Sequence, residues 1–264
     1  MKILNFLFSR SKQEQDKPIR DKLKTRKDFE RVLAEDLDIM ETTKARMDTA
    51  KNINLYMYRS LSYSYILILQ SKYSVDAKID ELRDIYIKSM HYFLQAFNKR
   101  NPIYADILNY VSLGVLLNIP DNNFRQLIDY VKQMDKQAKP SGWTPDLLLW
   151  FMLNSRMKEQ EKQKYAETLV YPRLYNGLYK VIQAPNAAAA KDALNKYLDR
   201  WYNLNSNAPW YNSHLKDNSY RGYWAWEVAA VAKIMHIDDS DLKNNQYYPY
   251  DMVHWADNET TAKE

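Results

Sequence analysis

Residues 220–236 read YRGYWAWEVAAVAKIMH. Wound at 3.6 residues per turn, Trp224, Val228, Val231 and Met235 fall on one face. Tyr223, Ala230 and Ile234 fall on a second, and Ala225, Ala229 and Ala232 on a third. A helix that is apolar nearly all round belongs in an interior, and its alanines let neighbouring helices come close. Such a helix requires others around it, and the preceding chain supplies them.

Upstream, Phe29, Leu33, Leu37, Met40 and Met47 recur at offsets of 4, 4, 3 and 7, one stripe of a helix within 19–51. The Tyr-, Leu- and Ile-rich run 54–74 is long and has no internal turn residue, so it reads as a buried helix despite a local alternation at Tyr63-Ser64-Tyr65. Ile79, Leu82, Ile85, Tyr86, Met90, Phe93, Leu94 and Phe97 draw a broad stripe behind Asp76, a candidate N-cap. Further helices are expected over 101–118 and 120–137. Others follow from the Thr144-Pro145-Asp146 start to about 157, over 162–182, and from the Asn186 cap through Leu194, Tyr197, Leu198 and Trp201. Asp238 and Asp239 are natural caps for a short helix, and Pro249 precedes a last one from 250 to 255. The expectation is an all-α multi-helix bundle of about ten helices without a significant sheet.

The strongest break is Lys139-Pro140-Ser141-Gly142. It separates an N-terminal helical region, 19–139, from a C-terminal helical region, 140–264. A polar tail, 1–18, precedes them, and the two regions are expected to pack as one compact unit. No repeat of fixed period is visible.

Composition narrows the chemistry. Hydrophobic residues make up 46% of the 264 and charged ones 27%, enough to build a core. Only 4 glycines are present, which disfavours hairpin-rich β architectures. They stand apart at 114, 142, 177 and 222, so no glycine-rich phosphate loop forms. The absence of cysteine excludes disulfides, Cys-ligated zinc, Fe–S clusters and a thiol nucleophile, and fits a reducing cytoplasm. No run reaches the length that spans a bilayer. The apolar start Ile3–Phe8 is too short for a signal-peptide core and lacks a cleavage site; weak membrane contact is its minor alternative.

The net charge of +5 is unevenly spread. Residues 214–264 hold five Lys/Arg against nine Asp/Glu, a balance of −4, which leaves +9 for 1–213. The acidic end suits a basic partner.

That end also carries a signature. Gly222-Tyr223-Trp224, Trp226-Glu227, Ala229-Ala230, Ile237-Asp238-Asp239, Tyr248-Pro249, Asp251 and Val253 stand in fixed order over about 35 residues. In this the chain resembles the C-terminal region of the PoNe immunity proteins, PoNi. The resemblance implies a cytoplasmic, non-enzymatic antitoxin that uses no cofactor or metal. Its partner would be the nuclease domain of a PoNe-type DNase toxin of the PD-(D/E)xK class. Gly222, Tyr223, Trp224, Trp226, Glu227, Tyr248 and Pro249 then form a structural motif. Asp217, Asp238, Asp239, Asp241, Tyr247 and Asp251 are the first candidates for toxin contact, as acids and an aromatic fit to cover a basic DNA cleft. No membrane or direct nucleic-acid partner is expected, and a homodimer stays open.

Plainer and sharper readings compete at several residues. Glu227 is either a catalytic or toxin-contacting acid, or a buried carboxylate paired with an arginine or tyrosine hydroxyls; the second is favoured. Asp238-Asp239-Ser240-Asp241 is no calcium loop, because positions six and twelve counted from Asp239 hold Asn244 and Tyr250. His91, His214, His236 and His254 show no metal spacing. Asp251 and His254, three apart, read as a hydrogen-bonded pair before a catalytic dyad. The 22 tyrosines and 7 tryptophans serve core and interface before sugar or base stacking. The basic stretch Lys17, Arg20, Lys22, Lys24, Arg26 and Lys27 is interrupted by Asp21 and followed by Asp28, and reads as a solvated face. Two other functions stay in play: an all-α glycan-processing hydrolase with paired carboxylates, and a helical nucleic-acid-binding protein.

Overall fold

A computed structural model of the chain describes residues 18–97, 103–136, 143–216 and 219–255. Ten α-helices stand among them, joined by short 3-10 turns at Glu159–Glu161, Ser213–Leu215 and Ser240–Leu242. The only β pairing among the described residues is an isolated bridge between Asp146 and Thr168. The protein is all-α, as its periodicity predicts.

The chain divides into two compact units, 1–99 with 212–223, and 100–211 with 224–264. By sequence the break lies at 139–140. In the structure the helices of 104–136 group with the later helices, because the helix Tyr104–Leu116 packs against the apolar helix at 226–235.

The first unit is built from α1 (Arg26–Thr49), α2 (Leu55–Ser74) and α3 (Ile79–Phe97), with α2 packed against both others. A capping box opens α1: Thr25 accepts from the Asp28 N–H, and Asp28 returns the bond to the Thr25 N–H. Asn54 caps α2 through the Met57 N–H at 3.1 Å. The stripe read from sequence reaches its core: Leu33 and Met40 meet Leu61, Tyr65 and Ile68, with Leu37, Met47, Ile85 and Tyr92 against them. Asp76 is not the cap of α3. Its backbone is left-handed, with φ of 77°, beyond the end of α2, and its carboxylate meets Arg20 at 3.1 Å.

The second unit holds α4 (Tyr104–Leu116), α5 (Asp121–Lys136), α6 (Leu147–Asn154), α7 (Pro172–Ile182), α8 (Ala187–Leu204), α9 (Trp226–Met235) and α10 (Tyr250–His254). Helix α9 packs against α4, α6, α7, α8 and α10, and Trp226 through Ala232 are all buried. This is the central position that an all-round apolar surface demands. Its polar end also fastens neighbours. The Lys233 ammonium donates to the carbonyls of Leu116 (3.2 Å) and Val253 (2.9 Å), and the Trp255 indole donates to the same Leu116 carbonyl. The open carbonyl end of α4 is thereby satisfied.

Two starts differ from the sequence reading. The cap of α6 is Asp146, not Thr144, since its carboxylate accepts from the Leu149 N–H at 2.8 Å. The helix expected over 162–182 forms only from Pro172. The preceding segment runs without helix, its Thr168 carbonyl accepting from the Leu147 N–H. The break expected at 139–142 lies outside the described residues.

Candidate partner-binding surface

The signature residues separate into those that brace the fold and those that face outward. Gly222 takes φ of 105°, a left-handed backbone that a side chain would strain. Beside it, the Tyr223 hydroxyl receives the His214 N–H at 3.0 Å and sits 3.2 Å from the Ser213 hydroxyl. All of these residues belong to the first unit.

In the second unit Glu227 is buried on α9. Its partner is neither an arginine nor a tyrosine, but the Trp201 indole N–H at 2.6 Å. Tyr104, Tyr175 and Tyr197 lie near enough for its charge to raise their hydroxyl pKa values further above an already burial-raised level. Burial pushes the Glu227 carboxyl up to about 7, with the Trp201 bond opposing. The sign follows directly. The folded state keeps a proton that the unfolded chain releases above its ordinary value of 4.5. Stability from this group is therefore greatest below pH 4.5 and falls up to about pH 7, by about 3 kcal/mol in all. Glu227→Gln keeps an acceptor for Trp201 and removes the titration. Denaturant melts across this pH range should then fall less steeply than those of the wild type; equal slopes would reject the assignment.

Asp239 is buried too, and both its oxygens are engaged. The Tyr248 hydroxyl donates at 2.7 Å and His254 Nε2 lies at 2.8 Å. The partner of His254 is thus Asp239, fifteen residues away, where the sequence pointed to Asp251. Asp239 makes no capping bond to the 3-10 turn that follows. Asp238 does, accepting from the Ser240 N–H at 3.2 Å.

The remaining acids lie outside. Asp238 and Asp241 are exposed and converge on one cation: Lys191 of α8 stands 2.8 Å from the first and 3.3 Å from the second. Asn195, one turn on, donates to Asp241 at 3.0 Å. The Lys191 bond holds the Asp238 carboxyl well below the usual range. Asp251 is exposed on α10. Tyr247 is half-exposed and stacks on Tyr202, rings 5.3 Å apart and 5° from parallel. That stack continues from Tyr202 to Tyr211 at 4.5 Å, and Trp201 stacks on Trp210 at 5.4 Å. Asp217 lies outside the described residues.

Sequence reasoning missed three anchors. Asp36 accepts two bonds from Arg221. Asp146 is fully buried. Asp135 takes the indoles of Trp143 (2.9 Å) and Trp150 (2.8 Å) and the Tyr165 hydroxyl (2.9 Å). For Asp36 a signal was present: it lies four residues from both Val32 and Met40, inside the apolar stripe of α1.

These features define an all-α protein in which buried carboxylates brace helices and aromatics edge the outer acids. Both halves of the sequence match models of one family. Residues 11–129 match the N-terminal part of the PoNe immunity proteins (PoNi), and residues 144–252 the C-terminal part. The chain belongs to the PoNe immunity protein family. The crystal structure of protein PA2201 from Pseudomonas aeruginosa is similar over 97% of this chain and 95% of that one, with a TM-score of 0.70 and 18% identity. At that identity the likeness concerns the fold. No curated protein matches the chain. Among the described residues no helix is long and apolar enough to cross a membrane.

Proposed function

We propose that this immunity protein acts in the cytoplasm of a bacterium engaged in competition, where it binds a PoNe-type DNase toxin and holds it inactive, catalysing nothing itself. The observation that carries this reading is the family match across both halves of the chain. The use made of the buried acids supports it: Glu227, Asp239, Asp146 and Asp36 each hold structural donors.

The contact surface is assigned to Asp238, Asp241 and Asp251, with Tyr247 as its aromatic member. Asp239 is withdrawn from it, because both its oxygens are used inside. Exposed carboxylates steer a basic partner into contact and act mainly on the association rate. The test is complex formation with the nuclease toxin encoded beside this gene. The wild type should form a stoichiometric complex without nuclease activity. Reversing Asp238, Asp241 and Asp251 to lysine should slow association by about tenfold at low salt. An unchanged rate removes the surface, and a wild type that leaves the nuclease active removes the function.

A further inference from the structure

Helices α7 and α8 border a groove of about 410 Å³ that the reading above does not use. Its floor lies where Gly177 of α7 meets the Tyr197 ring of α8. A Cβ on residue 177 would stand 2.7 Å from that ring, so glycine keeps the two helices close. Leu174, Ala193 and Leu204 make the floor and walls apolar. The rim is cationic, with Arg173 and Lys180 on α7 and Lys196 and Arg200 on α8. Lys196 is matched by Asp192 at 2.6 Å. The other three have no carboxylate partner among the described residues, and all are exposed.

The spacing of these charges decides what fits. Arg173 and Lys180 are seven residues apart, about 10 Å along the helix axis. Cations so separated do not converge on one phosphate. The one aromatic ring in the floor, Tyr197, is only 4% exposed, so it offers little open face on which a base would stack. An apolar trench with spaced cations along its edges complements a peptide that carries apolar side chains on one face and carboxylates beside them. We propose that the α7–α8 groove docks an acidic amphipathic segment of a partner protein. The apolar side chains lie over Gly177 and Tyr197, and the carboxylates meet Arg173, Lys180 and Arg200. This surface is opposite in sign to the acids at Asp238 and Asp241, and the inference stands without the toxin assignment.

The test uses the full chain and a fluorescent synthetic peptide of glutamates with leucine at every fourth position. The wild type should bind it with an affinity that falls as salt rises. The triple variant Arg173→Glu, Lys180→Glu, Arg200→Glu should bind about tenfold or more weakly. The variant Lys51→Glu, Lys78→Glu, Lys88→Glu has the same net charge, with its changes on exposed lysines of the first unit, and should bind as the wild type does. No peptide binding, an equal loss in both variants, or preference for a short DNA duplex would overturn the proposal.

Discussion

Arg221→Ala should destabilise the first unit by about 3–5 kcal/mol, as removing one partner of a buried ion pair does. Arg221 donates from Nε to one oxygen of Asp36 at 2.9 Å and from Nη2 to the other at 2.8 Å. The two side chains are only 10% and 3% exposed. Without the guanidinium, the carboxylate is left charged in a site that already pushes its pKa up through burial. The penalty should narrow as pH falls, because a protonated Asp36 no longer needs the cation. Arg221→Lys should recover little, since an ammonium cannot supply two parallel bonds. The double variant Asp36→Leu, Arg221→Met should recover much of the loss, because it strands no charge. Urea denaturation of the three variants checks all this, and a loss below about 1 kcal/mol for Arg221→Ala contradicts it.

Asp146→Ala should cost the second unit a comparable amount, about 4 kcal/mol. One oxygen of Asp146 accepts from the Leu149 N–H (2.8 Å) and the Tyr104 hydroxyl (2.9 Å), and the other from the Val170 N–H (2.7 Å). Alanine removes the cap of α6, worth about 1 kcal/mol, and strands two further donors at about 1–3 kcal/mol each. Asp146→Asn is the more discriminating change. It keeps one oxygen for Leu149 and Tyr104 but turns an amide N–H toward the Val170 N–H, so it should fall between wild type and alanine. Thermal melts that rank Asn with the wild type would show that the Val170 bond contributes little.

Both anchors show what one-dimensional reading delivers. Helix α9 was legible because its apolar residues cover every face, and only a central position satisfies that pattern. The cap Asn186 and the stripes of α1 and α3 were legible for the same local reason. The non-helical run before Pro172 was not. It is set by the pairing of Asp146 and Leu147 with residues more than twenty positions away, and local propensity does not encode such a partner. The acids divide likewise. Asp238, Asp239 and Asp241 look alike in sequence, yet Asp239 turns inward to Tyr248 and His254 while Asp238 and Asp241 stay out with Lys191. Burial is a property of the folded neighbourhood, so the candidate surface was recognisable in sign but not in membership.

The short return of residues 212–223 to the first unit bears on the order of assembly. A ribosome releases the chain from its N-terminus, so α1, α2 and α3 emerge long before Arg221 and Tyr220, which bind Asp36 and Asp21. Until those arrive, Asp36 lacks the guanidinium it is buried with, and Asp21 holds only the Leu23 and Lys24 N–H groups of its own segment. The first unit therefore cannot finish folding during synthesis of its own helices and must wait for nearly the whole polypeptide. A chain broken off before Arg221 would leave an open, protease-sensitive intermediate in place of a truncated protector.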